Sequence, residues 1–71
     1  MTPRERELLR GIGNCYDACR ASFEDTVEMV GSSRGLTAEE VKAMLRRVRE
    51  NHAHDEEYRV LRSRLPEEFP L

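Results

Sequence analysis

The amino-acid sequence predicts an all-α fold, a small three-helix bundle that forms a single domain over residues 1–71. Apolar residues recur at the three- and four-residue spacing of amphipathic helices. A threonine followed three residues later by glutamate, which marks the start of a helix, occurs twice, at Thr2 and at Thr37. Aromatic residues make up only 6% of the chain. Since strands are enriched in such residues, we expect no sheet.

The first helix is predicted to be long and to span residues 3–30. Thr2 and Glu5 form a capping box, and Pro3 suits the first helical position. The apolar positions that follow keep one helical phase as far as residue 30, and Gly31 is expected as the C-cap. A kink at Gly13 would instead give a four-helix bundle. The apolar face comprises Leu8, Leu9, Ile12, Cys15, Tyr16, Cys19, Phe23, Val27 and Val30.

Two shorter helices are predicted over residues 38–50 and 55–64. Thr37 and Glu40 form the capping box of the first, and Asp55 is the expected cap of the second. A break within residues 51–54 is expected because the apolar positions after it are rotated by about 150° from those before it. Pro66 ends the last helix, and residues 65–71 form an extended tail.

The predicted lengths of the first two helices do not match. A helix over residues 38–50 is about 20 Å long and covers only the C-terminal half of the first helix. Leu8, Leu9 and Ile12, together with Tyr16, are therefore predicted to form the interface of a homodimer, unless the chain folds back at Gly13. The leading functional hypothesis is a non-catalytic helical protein–protein interaction module that self-associates, acting as an adaptor or accessory subunit.

A helix-turn-helix DNA-binding regulator is the alternative hypothesis, because the last two helices loosely resemble such a unit. The acidic residues Asp55, Glu56 and Glu57 stand at the end of the last helix that would approach the bases, and the chain has a net charge of −2. Both features favour a solvated charged face over nucleic-acid binding. The candidate nucleic-acid-binding residues are Lys42, Arg46, Arg49, Arg59, Arg62 and Arg64.

A small zinc protein is the third hypothesis. Cys15 and Cys19 share a helical face, and an antiparallel second helix could bring His52 and His54 to them as a tetrahedral set. The favoured interpretation is simpler: the cysteines are core residues and the histidines lie in a solvated turn, so no cofactor is expected. A thiol in an apolar stripe has a raised pKa and low reactivity, so we expect no enzymatic activity.

The charged beginning of the chain lacks the apolar run of a secretory signal peptide. No segment approaches the roughly 20 apolar residues that a membrane-spanning helix requires. We therefore expect a cytoplasmic protein with reduced thiols, without a membrane partner.

Overall fold

A computed structural model describes all of residues 1–71. It contains four α-helices and no strand, which confirms the all-α fold class. The number of helices corrects the three-helix expectation, since the first predicted helix is two helices in the structure. In chain order the helices are α1 (Pro3–Cys19), α2 (Phe23–Arg34), α3 (Ala38–His52) and α4 (Glu56–Arg64).

The break between α1 and α2 lies at residues 20–22, so the prediction of one helix over residues 3–30 is wrong. Arg20 adopts a left-handed conformation with φ of 52°, and its N–H donates to the carbonyl of Tyr16 at 2.7 Å. Ser22 then caps α2, its hydroxyl accepting a hydrogen bond from the Asp25 N–H at 3.2 Å. The alternative of a four-helix bundle is right in the number of helices but wrong in the position of the break, because Gly13 lies buried within α1.

The C-cap expected at Gly31 is wrong, because α2 continues to Arg34 and Gly35 is the residue that adopts the left-handed conformation, with φ of 70°. The remaining helix boundaries agree closely with the sequence. Both capping boxes form: the hydroxyls of Thr2 and Thr37 each accept from a glutamate N–H, and each glutamate accepts from the threonine N–H in return. Helix α3 extends to His52, two residues beyond its predicted end. The chain then breaks at residues 53–55 before α4 begins, which confirms the separate last helix.

The directions of the helices follow from their contacts. Arg34, at the end of α2, donates to the carbonyl of Glu7 at 3.3 Å, so α2 folds back antiparallel to α1. Arg6 pairs with Glu57 at 2.8 Å near the start of both α1 and α4. The ion pair between Asp17 and Arg64 lies near the ends of the same two helices. Helix α4 therefore runs parallel to α1.

All four helices and the C-terminal tail contribute to one core. The C-terminal tail folds back so that the Phe69 ring meets the rings of Tyr16 and Phe23 edge to face, at 5.2 and 5.4 Å between centroids. The core residues are Leu8, Leu9, Ile12, Val27, Val30, Val41, Met44, Leu45, Val48, Tyr58, Leu61, Leu65 and Phe69.

This core corrects the predicted dimer interface. Leu8, Leu9 and Ile12 are buried within the single chain, with exposed fractions of 1%, 3% and 0%. The prediction assumed a continuous first helix whose beginning lies out of reach of the rest of the chain. Since α2 folds back along α1 and α4 packs beside it, the chain itself covers these side chains. They are not available to a second copy. Tyr16, the fourth predicted interface residue, is half-buried.

Two glycines in helices lie against different neighbours, which predicts opposite effects of alanine. A Cβ on Gly31 would stand 2.6 Å from the backbone carbonyl oxygen of Leu36, which cannot move freely. We expect Gly31→Ala to lower the free energy of unfolding by about 1–3 kcal/mol. A Cβ on Gly11 would meet only the flexible guanidinium of Arg34. Gly11→Ala should therefore gain up to about 1 kcal/mol of helix propensity. Urea denaturation measures both, and a stabilised Gly31→Ala would contradict the close approach of α2 to the following loop.

Thr26 offers a second test of the packing. Its side chain is fully buried on α2, and its Oγ1 has no hydrogen-bond partner. Thr26→Val removes an unsatisfied hydroxyl without changing the shape, so we expect the free energy of unfolding to rise by about 1 kcal/mol. The reverse change at the adjacent buried position, Val27→Thr, should lower it by about 1–3 kcal/mol. A Thr26→Val protein no more stable in urea denaturation than the unmodified protein would show that Thr26 is not buried and unpaired as described.

Candidate functional site

Three of the six candidate nucleic-acid-binding residues are bound within the chain. Lys42 contacts Glu24 at 2.8–2.9 Å, and this hydrogen bond raises the pKa of the Lys42 ammonium. Arg64 pairs with Asp17. Arg62 donates to the carbonyls of Phe69 at 2.7 Å and of Leu65 and Pro66. Arg62 thus holds the C-terminal tail against the bundle and is a structural residue.

The remaining three candidates are exposed: Arg46 and Arg49 on α3, and Arg59 on α4. On α4, the helix that would enter a DNA groove, Arg59 is the one candidate left without an internal role. The exposed acids Asp55, Glu56 and Glu57 flank it on the N-terminal side. The structure therefore does not assemble the six candidates into one basic surface.

The four candidate zinc ligands lie at two ends of the molecule. The His52 ring contacts the Asp55 carboxylate at 3.0 Å through Nδ1, and its Nε2 is 3.9 Å from Glu5 near the start of α1. Cys15 and Cys19 lie in the last turns of α1. The chain contains no group of three or more histidine, cysteine or acidic side chains that could hold a metal ion. The convergence on which the zinc hypothesis depended required an unbroken first helix, and the turn at Arg20 removes it.

The two cysteines differ in exposure. Cys15 is half-buried and packs against the core, and burial, followed by the neighbouring Cys19, raises the pKa of its thiol. Cys19 is exposed, because it is the last residue of α1 and α2 turns away directly after it. The interpretation of both cysteines as core residues is therefore right in part for Cys15 and wrong for Cys19. Neither cysteine lies beside His52, whose ring partners are carboxylates instead.

A groove between α1 and α4 is the largest concave feature of the surface, with a volume of about 580 Å³. Leu9 and Leu61 form its buried floor, while Val60 on its rim is 51% exposed. Sequence patterning missed this groove because Val60 lies outside the apolar stripe of α4, and because the parallel arrangement of α1 and α4 was not foreseen. The lining residues are Arg6, Leu9, Arg10, Asp55, Glu56, Glu57, Val60, Leu61 and Arg64.

Charges are unevenly distributed along this groove. The start of α4 is acidic, at Asp55, Glu56 and Glu57, whereas Arg64 is basic at the end of the helix. Acids at the start and bases at the end of a helix favour the helix dipole, which is a sufficient local reason for the pattern. The same pattern makes the two ends of α4 electrostatically complementary to each other.

The comparisons with known proteins give no further guide to function. No family model, curated protein or solved structure matches this chain. None of its four helices has the length and apolar character needed to cross a membrane. The groove between α1 and α4, the cysteine pair and the exposed bases are therefore the features on which a functional argument can rest.

The structural role of Arg62 can be tested against Arg59 on the same helix. Arg62→Ala removes the charged donor of three tail carbonyls, so we expect the free energy of unfolding to fall by about 1–3 kcal/mol. Arg59→Ala changes an exposed residue and should stay within about 0.5 kcal/mol of the unmodified protein. Urea denaturation monitored by circular dichroism checks both. An Arg62→Ala protein as stable as the Arg59→Ala control would contradict the role of Arg62 in holding the C-terminal tail.

Proposed function

We propose that the protein is a non-catalytic helical interaction module that self-associates as a homodimer through the groove between α1 and α4. The observation that carries the proposal is the exposure of Val60, the most exposed large hydrophobic side chain of the chain at 51%. It stands on the rim of the largest groove, beside the buried Leu9 and Leu61. Covering the exposed half of Val60 with a second copy contributes up to about 0.8–1.5 kcal/mol per chain.

A second copy fits the groove because of the charge order along α4. Glu56 and Arg64 lie four residues before and four residues after Val60, so all three share one helical face. If two copies pack α4 antiparallel about a two-fold axis at Val60, Glu56 of each copy faces Arg64 of the other. The Arg64 side chain stays 38% exposed beside Asp17, so its guanidinium can donate to a second carboxylate. A parallel arrangement would join like charges instead.

The electrostatics favour this occupant over nucleic acid. A duplex would meet the acidic first turn of α4, and Arg62 is already bound to the carbonyls of the tail. In the proposed dimer this acidic turn contributes to binding, because Glu56 of each copy pairs with Arg64 of the other. The contact is small, since α4 has nine residues, so we expect the micromolar affinity of a modest interface.

The test compares the two exposed large hydrophobic residues. Sedimentation of the unmodified protein at ~100 μM is expected to show a dimer, because this lies well above micromolar dissociation constants. Val60→Glu should give a folded monomer at the same concentration, since it places a charge at the centre of the contact. Met29→Glu is the matched control: Met29 is 39% exposed on α2, outside the groove, and the variant should still dimerise.

The Glu56→Arg variant tests the antiparallel arrangement. It replaces both pairs of opposite charges across the two-fold axis with pairs of arginines, so it should weaken association at least tenfold, with circular dichroism unchanged. An unmodified protein that is monomeric at ~100 μM would refute self-association. A dimer that Val60→Glu leaves intact would refute the groove as its site. A dimer lost in Val60→Glu but unaffected by Glu56→Arg would refute only the antiparallel pairing.

A further inference from the structure

Cys15 and Cys19 form a pair of free thiols one helical turn apart, at the end of α1. Residues four apart in a helix lie on one face, with their Cβ atoms about 5–6 Å apart. Cys15 and Cys19 are therefore neighbours on one face of α1. The half-buried Cys15 packs against the core, whereas Cys19 is exposed to solvent.

Packing accounts for only one member of this pair. A free cysteine usually behaves as a small buried hydrophobic residue, and Cys15 fits that description. Cys19 is exposed at the last position of α1 and does not pack against the core. A disulfide between the two is disfavoured, because cysteines one turn apart in a regular helix rarely meet the geometry of the bond.

The chemistry of the pair restricts the ligand. Zn²⁺ in structural sites takes four ligands. No histidine, cysteine or acidic side chain joins these two thiols as a third ligand. Soft thiolates select Cu(I), a cation that is stable with two sulphur ligands. Metal binding does not require either thiol to be ionised beforehand, because the cation displaces the protons as it binds.

We propose that Cys15 and Cys19 of a single chain form a two-coordinate Cu(I) site. Binding breaks two S–H bonds and forms two Cu–S bonds, and both protons pass to solvent. No electron is transferred: one Cu⁺ and two neutral thiols give a bis-thiolate complex of charge −1 and two H⁺. Arg20, which follows Cys19 directly and lies over the Tyr16 ring at 5.3 Å, supplies a positive charge at this end of α1.

The proposal is tested by anaerobic titration of the full, reduced chain with Cu(I) in competition with a chromophoric Cu(I) chelator. We expect one equivalent of copper per chain. The affinity should fall at least a hundredfold in Cys19→Ser, in which the fold is preserved because Cys19 is exposed. His54→Ala is the matched control: it removes an exposed histidine that was a candidate zinc ligand, and should bind copper unchanged.

The pH dependence gives a second readout. Because two protons are released per copper, the logarithm of the binding constant should rise by about two for each pH unit below the thiol pKa values. Cys19→Ser that binds copper as tightly as the unmodified chain would overturn the proposal. So would a stoichiometry of one copper per two chains, which would place the site between copies, or a loss of binding in His54→Ala.

Discussion

The left-handed turn at Arg20 divides one continuous apolar stripe into two helices, and the rest of the fold depends on it. A non-glycine residue in this conformation costs about 1–2 kcal/mol. Folding α2 back lets the chain cover Leu8, Leu9 and Ile12, each of which contributes about 1.5–3 kcal/mol on burial. The gain exceeds the local strain, so a chain of 71 residues can cover its own N-terminal stripe.

The same turn explains how far the sequence could predict the fold. Both capping boxes, the break before α4 and the end of α4 carry local signals, and all form in the structure. The break at Arg20 has a weaker local signal, a serine at position 22 followed three residues later by Asp25. In the structure the Ser22 hydroxyl caps α2 by accepting from the Asp25 N–H. The apolar positions keep their phase on both sides of it. Periodicity alone therefore could not distinguish one long helix from two that fold against each other.

The candidate sites depend on tertiary contacts that residue types do not reveal. Arg59 and Arg62 look equivalent in the sequence, yet Arg59 is exposed and Arg62 binds three tail carbonyls. Likewise Cys15 and Cys19 share a stripe but differ in exposure, because only one lies beside the core. Val60 belongs to no apolar pattern, and its place on the groove rim follows from α4 running parallel to α1.

The chain folds back onto itself at Arg20. The distance between Gly11 and Arg34 reports this folding directly, because the Arg34 guanidinium lies over Gly11 in the structure. In a continuous helix the same residues would be about 35 Å apart. In a sample of labelled protein diluted into excess unlabelled protein, isotope-edited spectra should show a nuclear Overhauser effect between Gly11 and Arg34 within one labelled chain. Its absence, or its appearance only between labelled and unlabelled chains, would contradict the account.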